Sequence, residues 1–159
     1  MRFVRSTDLD CPPAEAIQHV RTPRLFEYVA APWIRIEPVD PPQLPDEWEP
    51  GRYLVRMRLF GLLPLGTQWI GIRAVEQRGD RLLVHDQGNG ALARVWDHRI
   101  EISPTADGGT RYCDRVTVEA GWRTPFVGWF AKRFFAHRQR RWQRLVRTKF
   151  DYGARGRAR

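Results

Sequence analysis

His98 and Asp114 are the side chains whose types and spacing are best suited to chemistry in this sequence. They flank Asp107-Gly108-Gly109, a turn rich in residues that tolerate positive φ, so the segments on either side are predicted to pair as a hairpin. Setting Ile102 opposite Tyr112 places Ile100 opposite Asp114 and His98 opposite Val116. His98 and Asp114 then become diagonal neighbours on one face, in the company of Trp96, Ile100, Tyr112 and Val118. Those apolar neighbours mark it as the inner face. A carboxylate beside an imidazole fixes its tautomer and supports its charged form, so the pair can pass a proton to a bound carbonyl or enol. The plainer alternative is an internal pair that only holds the strands in register.

Arg138 is the third candidate. It follows Phe134 by one helical turn and precedes Trp142 by another, which puts a cation on the apolar stripe of a helix. A buried guanidinium needs a partner. It meets Asp114 or another carboxylate as a structural bridge, or it meets the acidic head of a ligand whose tail fills the interior. No serine or cysteine nucleophile stands in a triad, and Cys113 falls on the opposite face with Arg111 and Arg115. Cys11 and Cys113 supply neither a disulfide framework nor a zinc site. No metal or cofactor is expected, and a reducing, cytoplasmic setting is.

The elements that must hold these residues follow from periodicity. Phe3 to Leu9 is a strand closed by Cys11-Pro12-Pro13. Pro13 then opens a short helix carrying Ala16, Ile17 and Val20, and a second runs from Pro23 to about Val29. Trp33 to Val39 is a short strand, and Asp40 to Gly51 an extended proline-rich connector. From Arg52 the period becomes two, with Tyr53, Val55, Met57 and Leu59 on one face and Arg56 and Arg58 on the other. Gly61 to Leu65 breaks that strand, Gln68 to Glu76 makes the next, and Arg78-Gly79-Asp80 turns into Arg81 to Gln87. Gly88-Asn89-Gly90 is predicted to turn again before the two longest strands, Ala91 to Ser103 and Thr110 to Glu119. Thr124, as cap, and Pro125, in the first turn, open a helix of about 26 residues ending near Phe150. Val127, Phe130, Phe134, Trp142 and Leu145 form its apolar stripe, with Arg133, Arg140, Arg144 and Arg147 mainly elsewhere.

This order predicts an α+β chain of helix-grip type: a curved antiparallel sheet of about seven strands wrapped on a long C-terminal helix, with two short helices after the first strand. Residues 1–152 form one domain, followed by a basic flexible tail at 153–159. A chain of 159 residues with 42% hydrophobic content is large enough to bury a core. The formal charge of +9 is uneven, with twelve basic residues against one acid, Asp151, from Trp122 onward, and a net charge of −2 before it. Such a basic segment is a solvated helix face, or a contact with an anionic ligand, membrane surface or nucleic acid. Nucleic acid is not expected, because the aromatic residues of the helix alternate with its arginines at core spacing and not as open stacking platforms. No targeting segment is expected, and the longest apolar run, Leu59 to Leu65, is far short of the roughly 20 residues that span a bilayer.

Gln87-Gly88-Asn89-Gly90, Trp96-Asp97-His98, Gly109-Thr110 and Asp114-Arg115-Val116, in that order, resemble the run found in the polyketide cyclase/dehydrase-like branch of the START-like (SRPBCC) superfamily. Phe134-Phe135-Ala136-His137-Arg138-Gln139 and Arg141-Trp142 resemble its arginine-studded, aromatic C-terminal helix. The pattern departs at His85 and Ala91, where an acid and a proline are expected. The resemblance implies a deep apolar cavity between sheet and helix, holding a lipid, sterol, polyketide or other hydrophobic molecule.

Tyr53, Val55, Met57, Trp96, Ile100, Tyr112, Val116, Phe130, Phe134 and Arg138 are then expected to line the binding space, with His98 and Asp114 as the catalytic pair if there is one. Alternate turns of a meander share one end, so Leu62, Leu63, Leu65, Trp122 and Phe126 should form an apolar rim beside Arg123 that admits a ligand, touches a membrane, or folds inward to complete the core. The leading expectation is a carrier or sensor of a hydrophobic small molecule, with the basic helix touching an anionic membrane in passing. The alternative is a cyclase, dehydratase or isomerase using His98 and Asp114.

Overall fold

The computed structural model describes residues 1–153, in the order β1 (Arg2–Leu9), α1 (Pro13–Val20), α2 (Pro23–Ala30), β2 (Ile34–Asp40), β3 (Gly51–Leu59), β4 (Leu63–Arg78), β5 (Arg81–Gly90), β6 (Val95–Pro104), β7 (Thr110–Glu119) and α3 (Thr124–Arg147). The expected tail lies, beyond Gly153, outside the described residues. The strands form one antiparallel sheet in the order β1-β7-β6-β5-β4-β3-β2. β1 and β2 occupy opposite edges, so α1 and α2 carry the chain from one edge to the other. α3 lies across the sheet and packs on β1, β7 and α2. This is the helix-grip architecture.

The β6–β7 register is Ile102↔Tyr112, Ile100↔Asp114 and His98↔Val116, as the hairpin turn requires. Three local expectations are corrected. β4 begins at Leu63, because the chain reverses within three residues and Pro64 still faces Arg58 across a bulge. Gly88-Asn89-Gly90 continues β5 and is no turn: Asn89 pairs with Trp69 and Gly90 with Gln68, and the chain reverses only at 91–94. The glycines are needed for close approach, since a Cβ at Gly88 would run into the Trp69 carbonyl and one at Gly90 into the Thr67 carbonyl. Finally, Arg123 and not Thr124 is the N-cap of α3, because the Thr124 hydroxyl turns back to accept from the Ala120 N–H (2.9 Å) and donate to the Gly121 carbonyl (2.7 Å).

The core divides into two apolar clusters. One gathers α1, part of α2, Tyr53, Val55, Ile70, Ile72, Leu82, Val84, Ile102, Tyr112 and the C-terminal half of α3. The other gathers Val116, Val118, Val127, Ala131, Phe134 and Phe135. Along β4, β6, β7 and α3 the change from one cluster to the other falls at a polar residue, and on β5 the first cluster ends at one.

Candidate functional site

Those boundary residues form a belt. Gln68 on β4, Asp86 on β5, His98 on β6 and Asp114 on β7 cross the inner face of the sheet, and Arg138 and Gln139 of α3 lie over them. Strand parity explains the alignment: Leu82, Val84 and Asp86 alternate inward on β5, as Tyr112, Asp114 and Val116 do on β7. Asp86 stands directly opposite His98 in the β5–β6 ladder.

The two ends of the belt differ in how well they are satisfied. Asp114 is fully buried and saturated: Oδ1 takes the His98 Nε2 bond at 2.7 Å and the Tyr112 hydroxyl at 3.0 Å, and Oδ2 takes the Gln139 amide at 2.9 Å. Burial alone would raise its pKa. The hydrogen bond from His98, the Arg138 guanidinium and the Gln139 amide outweigh it and hold the carboxyl below the usual carboxylate range. His98 is driven the other way, because burial disfavours its cation and Asp114 restores only part of the loss. The pair is therefore a neutral imidazole donating Nε2–H to a carboxylate, an arrangement that fixes the tautomer and leaves Nδ1 as an acceptor.

At the other end the polar groups want partners. Arg138 is 6% exposed, yet its Nε has no hydrogen-bond partner and no carboxylate forms a salt bridge with it among the described residues. The expected bridge to Asp114 is not made, because that carboxylate is already occupied. The guanidinium lies instead among Phe135, Phe26 and Phe134, at 4.8, 5.6 and 5.8 Å from the ring centroids. Both amide atoms of Gln68 are also buried without partners. Among the described residues Asp86 accepts only the Gly71 N–H (2.8 Å), and desolvation pushes its carboxyl up to about 7 against that bond and the pull of Arg138. Tyr28 Oη and Trp142 Nε1 lack partners too, but neither faces the same space.

That space consists of two small chambers of about 60 and 50 Å³, which share Phe26, Ile70, Asp86, His98 and Arg138. Val55, Met57, Trp96, Phe130 and Phe134 line the first, together with Ile34, Ile36, Gln68 and Leu92, and Ile100 and Tyr112 line the second with Trp48. Of the residues expected at the site, Tyr53 and Val116 as lining and Asp114 as one of the catalytic pair are buried but line neither chamber. Tyr53 turns its hydroxyl to the Glu49 carbonyl (3.0 Å), Val116 packs in the second apolar cluster, and Asp114 sits behind His98. The deep cavity of the expectation is also corrected. Each chamber is smaller than the roughly 150 Å³ that holds a benzene, and far below the 300 Å³ or more of a drug-sized site, because Phe130, Phe134 and Trp96 fill the room between sheet and helix.

Two of the turns expected at the mouth, with the reversal at 91–94 in place of Gly88-Asn89-Gly90, lie at one end of the sheet. Ala91 touches the backbone at Gly66, and its carbonyl accepts from Arg123 (3.2 Å), so the β3–β4 turn, the β5–β6 connection and the start of α3 share one end. Leu62, Leu63, Trp122 and Phe126 are exposed there, while Leu65 is half-buried against the Phe130 side of the core.

Gln68 and Asp86 are the functional candidates that sequence reasoning missed. Asp86 was within reach of the period-two pattern of β5; Gln68 was hidden by the bulges and glycines that set the β3–β4–β5 register. Among the described residues no group of three or more His, Cys, Asp or Glu is arranged to hold a metal ion.

Fold and belt together define a helix-grip protein with an incompletely satisfied polar interior. Solved structures agree on the fold. Protein Ms6760 from Mycobacterium smegmatis is similar at TM-score 0.65 and 16% identity, covering 93% of this chain and 92% of its own. CV1439 from Chromobacterium violaceum is similar at 0.63 and 14%, covering 91% and 96%. Major latex-like protein 151 from Panax ginseng is similar at 0.60 and 8%, covering 92% and 97%. At such identities the likeness concerns the fold alone. No curated protein matches the chain. Over residues 7–146 the chain matches the family described as a domain of unknown function, DUF8410, and it belongs to that family.

Proposed function

We propose that the protein binds a small molecule with an apolar body and an acidic head between sheet and α3, as a carrier or sensor in the cytoplasm. Arg138 carries the proposal. Removing an ion from water costs several kcal/mol, whereas three aromatic faces at these distances return roughly 0.5–2 kcal/mol each. A carboxylate seated against Arg138 and the Gln68 amide would satisfy both, with Met57, Phe130 and Phe134 around the body. The resemblance to polyketide cyclase/dehydrase-like proteins supports the same location. The size of the chambers favours compact acids, with larger ones entering as Phe130 and Trp96 move aside.

Titration with matched acids and methyl esters, such as phenylacetate and octanoate with their esters, tests this by calorimetry. The acids should bind at least about tenfold more tightly than the esters, the worth of one charge-assisted hydrogen bond. Arg138→Leu should erase that difference. Equal affinity for acid and ester in the wild-type protein would overturn the proposal.

A second reading, proton transfer on the bound molecule, is favoured by one observation: Asp86, with a carboxyl that titrates near neutrality, faces the same chambers as a His98 oriented by Asp114. In it Asp86 and His98 exchange the proton, and Asp114 positions the imidazole. Ligands recovered chemically unchanged from the same titrations would dispose of it.

A further inference from the structure

We propose that the outer face of α3 and the β3–β4 turn together form a docking surface for an anionic lipid bilayer. Phe126, Trp129, Arg133, Arg140, Arg144 and Arg147 recur at spacings of three, four and seven residues, so they share one face of α3, and all six are exposed. The N-terminal part of this face is aromatic and the remainder cationic. Phe60, Leu62, Leu63 and Trp122 extend the aromatic end, and with Phe126 and Trp129 these large apolar side chains are 55% to 84% exposed. The turn is tied to the helix through Trp33, whose ring meets Phe60 at 6.3 Å, Phe130 at 5.9 Å and stacks on His137 at 5.3 Å.

The partner is chosen by charge and by the kind of apolar group. Residues 120 to 150 contain nine basic side chains and no acid, and residues 60 to 67 contain no acid either. A single-sign cationic face attracts an anionic surface. The exposed aromatic and leucine tips are suited to the headgroup and acyl boundary, and Arg133, over the Trp129 ring at 5.5 Å, covers an indole with a group that pairs to lipid phosphate. Nucleic acid would use the arginines but gives Leu62 and Leu63 nothing to enter. α3 would lie along the bilayer surface, with the shared end of the three turns at the level of the lipid headgroups. No helix among the described residues is long and apolar enough to cross the membrane, so the contact is peripheral.

The experiment is sedimentation of the full chain with phosphatidylcholine vesicles, with and without phosphatidylglycerol, across a salt series. The protein should bind the anionic vesicles, less as salt rises, with the tryptophan emission shifted to the blue. Trp122→Ser with Trp129→Ser, and separately Arg140→Glu with Arg144→Glu, should each weaken binding at least about tenfold. These side chains are exposed and line no chamber, so an unchanged melting curve and unchanged affinity for phenylacetate separate this result from the ligand proposal. Failure to bind anionic vesicles would overturn the inference. So would binding unaffected by either pair of substitutions, duplex DNA captured at a salt concentration where vesicles are ignored, or a self-association that the tryptophan substitutions abolish.

Discussion

Asp86 is half-buried against a void, and its only hydrogen bond among the described residues comes from the Gly71 backbone. Its carboxyl is pushed from 3.8 up to about 7 by burial, so the folded chain holds a proton there that the unfolded chain has already released. Stability from this group is therefore complete below about pH 4 and declines as pH rises through about 7. Asp86→Asn keeps an acceptor for Gly71 and removes the charge. In urea titrations it should exceed the wild type by about 2 kcal/mol at pH 8.5 and match it near pH 4. A penalty at pH 8.5 would mean that the ionised form is the one the fold wants. His98 and Asp114 were legible because a short turn sets their register and apolar neighbours set their face. Asp86 followed the same alternation, but the glycine run after it looked like a turn and drew the strand's end inward. The unmet polarity of Arg138 could not be read from sequence at all, since it depends on Asp114 being saturated by Tyr112, His98 and Gln139.

Among the elements, β4 and β5 show where spacing misleads. Gly71, Gly88 and Gly90 were informative about the chain, but about the approach of two strands and not its reversal. Gly71→Ala would thrust a methyl group into the Gln87 carbonyl of the neighbouring strand, whereas Gly51→Ala meets its nearest atom, Tyr53 Oη, at an ordinary 3.6 Å. Thermal unfolding should separate them, with Gly71→Ala costing about 2 kcal/mol or more and Gly51→Ala close to neutral. Equal melting temperatures would show that β4 and β5 can part without loss. α3 was legible over nearly its whole length because its stripe repeats at helical spacing. Its capping residue was not, since the Thr124 hydroxyl is drawn to Ala120 and Gly121, residues that a capping pattern does not weigh.

For the whole molecule, strand count, order of elements and the placement of one long helix over a curved sheet followed from periodicity, because those features depend on which face of each element is greasy. How much room remains between sheet and helix did not, since it is set by the rotamers of Phe130, Phe134 and Trp96 and not by pattern. The two voids beside Arg138 and Asp86 have a further consequence, for the response to hydrostatic compression. Unfolding collapses internal empty space, so the volume of the system falls as the chain opens, and squeezing drives it that way. A guest filling the voids removes part of that incentive. Tryptophan emission followed in a high-pressure cell should place the unfolding midpoint higher with phenylacetate than without, through a smaller volume change; an identical volume change would mean that the guest sits elsewhere.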